Sequence, residues 1–306
     1  MLFTDKLNAT GPTILNEFKE LFIKALENQG HPMDLLIIGL NGFYNPETFK
    51  LDDGKMSSHY VMGPDSTGHS ENLHYNYIDN YRTKNIYPKP HSEYLKELEY
   101  SQEKRNQIDK LVDAESLTIQ TEMLIYLKVW EMTHFLKGLY QFGRVLKGEH
   151  YDWHFKLRVG EDNTGIATSQ NLIRTHIRDV IKPFSEPVYN CFKTAYKSQI
   201  RNSIAHSNYS FLSRNIHPNN ENPHASFTQI PSLTFDEWID MFHATIIIHN
   251  CYNWFKNEIN DYFGKLALEN QNRLDIRITK EDGSVVYVGV SYRPESKDWR
   301  WSSQLK

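Results

Sequence analysis

At 306 residues, with a formal charge of −4, 39% hydrophobic and 24% charged residues, the chain has ordinary globular composition and room for one large domain or two smaller ones. The negative balance excludes a protein that coats nucleic acid non-specifically, because that affinity comes from Lys and Arg displacing counterions, but it permits a local basic groove. No run of about 18 apolar residues occurs, and the opening MLFTDKLNATG has no basic stretch leading into an apolar one, so neither a membrane span nor a standard export signal is expected.

In chain order, Pro12 to Asn28 carries Ile14, Leu15, Phe18, Leu21, Phe22, Ala25 and Leu26 at the three-four spacing of an amphipathic helix, with Gly30 and Pro32 to end it. The short apolar run from Asp34 to Leu40 fits a buried strand or a helix fragment, and a strand is preferred. From Gly42 to His91 the chain is rich in Asn, Asp, Ser, Gly, Pro, Tyr and His, which is loop chemistry. His59, His69 and His74 fall there without cysteines or a compact zinc spacing, so they read as solvated loop residues and no metal site is expected.

Ser92 to Val112 reads as a charged helical connector, with a domain boundary near Asp113. Glu115 to Lys147 is expected to form one long helix stopped by Gly148. Its three-four spacing aligns Leu124, Leu127, Glu131, His134 and Phe135, which sets a carboxylate in an apolar stripe and calls for a partner such as an Arg or a cleft edge. Gly138 and Gly143 suit close approach of another backbone. After a loop at 160–165, Ser169 to Ile181 reads as a helix with Arg174 and Arg178 on one face, a candidate edge for phosphate beside the simpler reading of a solvated basic face.

Ser185 can cap the next helix, which carries Val188, Phe192, Ala195, Tyr196, Ile200 and Ile204. A polar loop with Asn219, Asn220, Asn222 and Pro223 follows. Thr234-Phe235-Asp236-Glu237 is a capping box opening a long helix with an apolar stripe to about Leu268. Leu274 to Ile278 and Val285 to Val290 flank the turn residues Glu281-Asp282-Gly283 of a β-hairpin, which Trp299 and Trp301 are expected to pack onto the helices. Cys191 and Cys251 each sit in an apolar periodic segment with no CxxC spacing, as buried thiols of a reducing, cytoplasmic compartment do.

The segment Arg201-Asn202-Ser203-Ile204-Ala205-His206-Ser207-Asn208-Tyr209 resembles the motif of the HEPN family, the higher eukaryote and prokaryote nucleotide-binding domains. That motif is an Arg, often followed directly by a polar residue, then a His after four to six intervening residues. The setting near the end of an amphipathic helix, between two long helices, fits the family's helical bundle. The resemblance implies a mainly α fold with a HEPN-like helical domain over 113–271. Outside it lie a less regular N-terminal region over 1–112, whose position and long polar loop suggest a sensor or gating role that the motif does not assign, and a C-terminal β-hairpin over 272–306. The resemblance implies further a cofactor-free, metal-independent endoribonuclease of the toxin or anti-phage defence type. Such an enzyme acts as a homodimer with a composite site, alongside an antitoxin or other defence partner.

On an ideal helix of about 100° per residue, Asn202 and His206 share an edge while Arg201 lies about 140° from His206. Two copies around a two-fold axis can bring both groups to one cleft. In that reading Arg201, Asn202 and His206 are catalytic and Glu131 is a fourth member. Arg174, Arg178, Ser207, Asn208 and Tyr209 touch RNA. The alternatives are that Arg201 makes a salt bridge and His206 caps carbonyls, that Ser207, Asn208 and Tyr209 are only the turn ending the helix, or that the module is inert and binds nucleotide, RNA or a partner protein.

Overall fold

A computed structural model describes residues 1–40, 68–155, 169–220 and 229–302, and these are mainly helical with three small sheets. Strand β1 (Leu2–Phe3) leads directly into α1 (Thr4–Asn28), which starts earlier than the expected Pro12. Pro12 inside the helix leaves the Asn8 carbonyl without its usual donor, and both residues are exposed so that water can serve it. The Asp34 to Leu40 run is a helix, α2 (Asp34–Leu40), and not the expected strand. Its residues Asp34 to Ile38 are all buried without alternation, and a helix satisfies their backbone groups internally. The Asp34 carboxylate accepts from the His31 N–H at 2.8 Å, which starts the turn.

The stretch expected to be irregular contains α3 (Gly68–Lys84), β2 (Ile86–Tyr87) and the beginning of α4 (His91–Glu97). Helix α3 escaped the pattern because its polar and aromatic sequence buries little more than Ile78 and Tyr81. Residues 41–67, including His59, and the His69 side chain lie outside the described residues. A 3₁₀ turn capped by Ser101 opens α5 (Arg105–Glu131), so the expected boundary residue Asp113 lies inside a helix.

The single helix expected from Glu115 to Lys147 is two, because Met132 turns to an extended conformation with ψ 107° and α6 (Thr133–Leu146) begins after it. Met132 is buried at that break, and no Gly or Pro marks it. Gly148, at φ +82°, does stop α6. Beyond it, α7 (Ser169–Asn171), a π-helical segment (Leu172–Arg178) and α8 (Asp179–Ile181) make the expected helix in a wider winding. The loop expected at 160–165 lies outside the described residues.

Helix α9 (Glu186–Ala195) ends before the motif, which sits on its own short helix, α10 (Ser198–Ala205). The expected continuous helix is interrupted at Lys197, extended at φ −125°, ψ 111°, whose N–H donates to the Tyr126 hydroxyl at 3.3 Å instead of to a helical carbonyl. Where a polar loop was expected, β3 (Tyr209–Leu212) and β4 (Asn215–Pro218) form a hairpin through Ser213 and Arg214, both at positive φ, and β5 (Leu233–Thr234) pairs with β4. Asn222 and Pro223 lie outside the described residues.

The capping box forms as expected: Thr234 N–H donates to Glu237 Oε2 at 2.8 Å, and Glu237 N–H donates to Thr234 Oγ1 at 3.1 Å. It opens α11 (Phe235–Glu269). The expected C-terminal hairpin is β6 (Arg273–Thr279) with β7 (Val285–Arg293), Gly283 supplying the positive φ of the turn. A third antiparallel strand, β8 (Asp298–Trp301), joins β7.

The chain divides into two compact units, each assembled from three stretches rather than from consecutive domains. The first holds Met1–Glu17, Asn72–Met132 and Glu186–Asn250. Its core joins Ile119, Met123, Tyr126 and Trp130 of α5 to Phe192 and Tyr196 and to Trp238 and Phe242 of α11. The parallel pair β1–β2 packs Phe3 against Tyr87 and Tyr94.

The second unit holds Phe18–Glu71, Thr133–Ser185 and Cys251–Lys306. There Phe18 and Phe22 meet Phe142 and Phe255, and Trp299 is buried with its indole N–H donating to Asn260 Oδ1 at 2.8 Å, tying the sheet to α11. Gly138 faces the Tyr252 ring and Gly143 the His176 carbonyl, so only Gly143 admits a neighbouring backbone. Cys191 and Cys251 are buried thiols outside any disulfide, and burial pushes the Cys251 thiol up to about 12. No helix among the described residues is long and apolar enough to cross a membrane.

Candidate functional site

Helix α10 is amphipathic over its short length. Ile200, Ser203 and Ile204 are buried, while Arg201 and Asn202 are half-buried and Ala205 and His206 are exposed. Its placement is fixed at both ends. Beyond the Lys197 bond to Tyr126, the Gln199 side chain exchanges hydrogen bonds with the Ile230 backbone at 2.7 and 3.1 Å, and the Asn220 amide donates to the Gln199 carbonyl at 2.9 Å.

At the other end the chain turns back on itself. Ser207 stands at φ +51°, its N–H donating to the Ile204 carbonyl at 3.1 Å, and the Asn208 N–H donates to Ser203 at 2.7 Å. Asn208 and Asn219 then exchange hydrogen bonds at 2.9 Å, and Tyr209 opens β3 opposite Pro218. Ser207, Asn208 and Tyr209 are therefore the turn and the first strand residue.

The guanidinium of Arg201 is held from two directions. Its Nε and one terminal nitrogen contact the Glu131 carboxylate at the end of α5, and its other terminal nitrogen donates to Asn202 Oδ1 at 2.8 Å. The side chains of Arg201 and Glu131 keep 22% and 41% of their exposure, so an incoming anion can compete for the guanidinium. Glu131 thus has the Arg partner its sequence position called for, but it is exposed. The apolar stripe expected around it is absent, since Leu124 is exposed, and the break at Met132 puts His134 and Phe135 on a different helix.

His206 is the C-cap of α10, with its N–H donating to the Asn202 carbonyl at 3.1 Å. Among the described residues its imidazole takes no partner, so it does not cap the last carbonyls. The same short helix thus carries a polarised guanidinium, a carboxamide that aligns it and an open imidazole. Arg201 and His206 are not bonded to each other within one chain, in line with their angular separation. Arg174 and Arg178 belong to the second unit, where Arg174 is exposed and Arg178 pairs with Asp179 at 2.7 Å.

The carboxylates that α5 does bury are Glu115 and Glu122, which sequence reading passed over. Glu122 accepts from the Trp238 indole at 2.7 Å and the Tyr81 hydroxyl at 2.8 Å, and the Met1 amino group lies against it. Glu115 accepts from Arg214 Nε at 2.8 Å and from one of its terminal nitrogens at 2.9 Å, and that same nitrogen donates to Asp236 at 3.1 Å. The available signal was the spacing of Glu115, Ile119, Glu122, Tyr126 and Val129, a helix face on which two carboxylates alternate with core residues. His74 is helical rather than a loop residue, with Nδ1 3.3 Å from Lys128 Nζ.

Comparison of the chain with family models, with curated proteins and with solved structures gave no match.

Proposed function

We propose that the chain is a metal-independent endoribonuclease of the HEPN type, working as a homodimer in a cytoplasmic toxin or anti-phage defence setting with an antitoxin or defence partner. What supports this reading is the content of α10: half-buried Arg201 and Asn202 and exposed His206 lie on one short, firmly seated helix, with the Arg201 guanidinium already holding a carboxylate. A phosphodiester offers the same pair of anionic oxygens as Glu131.

In the reaction the ribose 2′-oxygen bonds to the adjacent phosphorus as its proton leaves, and the bond to the 5′-oxygen breaks as that oxygen gains a proton. The products are a 2′,3′-cyclic phosphate and a 5′-hydroxyl. The His206 imidazole moves the proton, the general acid–base role of histidine side chains. The Arg201 fork holds the phosphate and offsets the charge that grows on it, and Asn202 fixes the fork. The partner copy supplies the His206 that one chain keeps away from its own Arg201.

The completeness of the Arg201–Glu131 pair favours a second reading, an inert helical module in which that pair only braces α10 against α5. The two are separated by incubating the protein in chelator with single-stranded RNA and with the same sequence lacking 2′-hydroxyls. Cleavage of RNA alone is expected. Intact RNA at high protein concentration favours the inert module.

A further inference from the structure

One cluster lies outside the motif and is unused by the mechanism. Lys128, on α5, has its ammonium 5.3 Å from the centroid of the Tyr77 ring and 3.3 Å from Nδ1 of His74, both on α3. Among the described residues no carboxylate lies within ion-pairing distance of Lys128. A cation held by a π face and an imidazole has its donors oriented, and its charge is uncompensated by any described carboxylate. Burial and the Lys128 charge hold the His74 imidazole below its ordinary range, so it remains a neutral acceptor for the ammonium.

The position of the cluster is informative. Lys128 is three residues before Glu131, hence on the same side of α5 and about one turn, ~5 Å, along the axis from the carboxylate that holds Arg201. Tyr77 is 39% exposed, and Leu73, one turn earlier on α3, is 66% exposed. Cation, open aromatic ring and apolar neighbour thus continue from the motif across α5 to α3, all within one compact unit. A single-stranded polynucleotide meets cation and ring alike, phosphate to the one and base to the other.

We infer that Lys128, His74 and Tyr77 form a subsite for the nucleotide next to the scissile phosphate, Lys128 binding its phosphate and Tyr77 stacking its base. This rests on the nuclease reading of the Arg201 site. It makes the substrate a single-stranded RNA, because a base in a duplex has no face to offer Tyr77. Stacking on an aromatic ring tolerates any base, so the subsite sets strandedness rather than sequence.

The test measures binding of a fluorescent single-stranded 2′-O-methyl oligonucleotide, which cannot be cleaved, across a salt series, together with KM and kcat on the matching RNA. Tyr77→Ala is expected to weaken binding roughly 5- to 100-fold, while Tyr77→Trp retains or strengthens it. Lys128→Gln is expected to reduce the salt slope by about 0.7, the value for one single-strand phosphate. In both weakened variants KM should rise while kcat stays close to wild type. Binding and KM that ignore all three variants, in a protein that cleaves RNA, overturn the subsite and leave the nuclease reading standing. A change in oligomeric mass without a change in oligonucleotide binding assigns the surface to a protein contact and also overturns it. If the wild type neither binds nor cleaves, the subsite and the nuclease reading fail together.

Discussion

The Glu131 carboxylate occupies the guanidinium of Arg201, the group that the proposed reaction needs for phosphate. An ion pair as exposed as this one contributes at most about 1 kcal/mol to folding. Glu131→Gln is therefore expected to leave the melting temperature within a few degrees of wild type and to tighten binding of an uncleavable RNA several-fold, since it removes an internal competitor. Weaker binding by this variant, measured by fluorescence anisotropy, shows instead that Glu131 orients Arg201 for its ligand.

Glu122 is the opposite case. It is fully buried and accepts from Trp238 and Tyr81, so Glu122→Ala strands two donors in the core. At roughly 1–3 kcal/mol for each stranded group, the expected loss is about 3 kcal/mol or more. Glu122→Gln keeps one acceptor oxygen and should lose less. Urea unfolding of the two variants decides, and equal losses would show that the charge, not the acceptors, is what the core requires.

His243 predicts an acid limit to stability. Its Nδ1–H donates to the Ile239 carbonyl at 2.6 Å, and its Nε2 accepts from the Phe3 N–H at 2.9 Å, so a proton on Nε2 would face another N–H. Burial, partly offset by the bond to Ile239, pulls the group from near 6.5 to about 4. The unfolded chain then binds the extra proton first. Stability from this group is fully present above pH 6.5 and is lost as pH falls toward 4, by on the order of 3 kcal/mol. In His243→Gln the pH slope of unfolding over that window should shrink by about one proton, and an unchanged slope would remove His243 from the acid response.

The angular separation of Arg201 and His206 on α10 calls for two copies at one site. Arg201→Ala and His206→Ala should each be inactive alone. A purified mixed dimer of the two should regain about half of wild-type activity, because one of its two sites then has both groups intact. A mixed dimer as inactive as its parents assigns each site to a single chain.

How far the sequence carried depends on where tertiary contacts took control. The Thr234 capping box, the long stripe of α11, the Gly148 stop and the hairpin at Gly283 are local features, and each forms where its residues predict. The breaks at Met132 and Lys197 have no local mark. At Lys197 the helix yields to a hydroxyl presented by Tyr126, some 70 positions away in the chain. Helix α3 was hidden by its polar sequence, and α2 by the length at which strand and helix patterns coincide.

The candidate site was legible as residues but not as geometry. The motif named Arg201, Asn202 and His206, and the Arg partner that Glu131 requires is Arg201 itself. Glu131 is nevertheless exposed rather than set in an apolar stripe, and the buried carboxylates of α5 are Glu115 and Glu122. Leu124, aligned with the apolar stripe, is on the surface, which shifts the buried face of α5 away from the one expected. The Lys128 cluster left no pattern, because it joins residues more than fifty positions apart.

The most direct measurement is cleavage of total RNA in the presence of chelator by wild-type protein and by His206→Ala, with the ends of every fragment mapped. His206 is exposed and unpaired among the described residues, so the substitution should leave folding unchanged and lower cleavage by roughly 10²- to 10⁴-fold. Wild-type fragments ending in 2′,3′-cyclic phosphate and 5′-hydroxyl, lost in the variant, are the expected result. Cleavage that persists undiminished in His206→Ala contradicts the proposed chemistry.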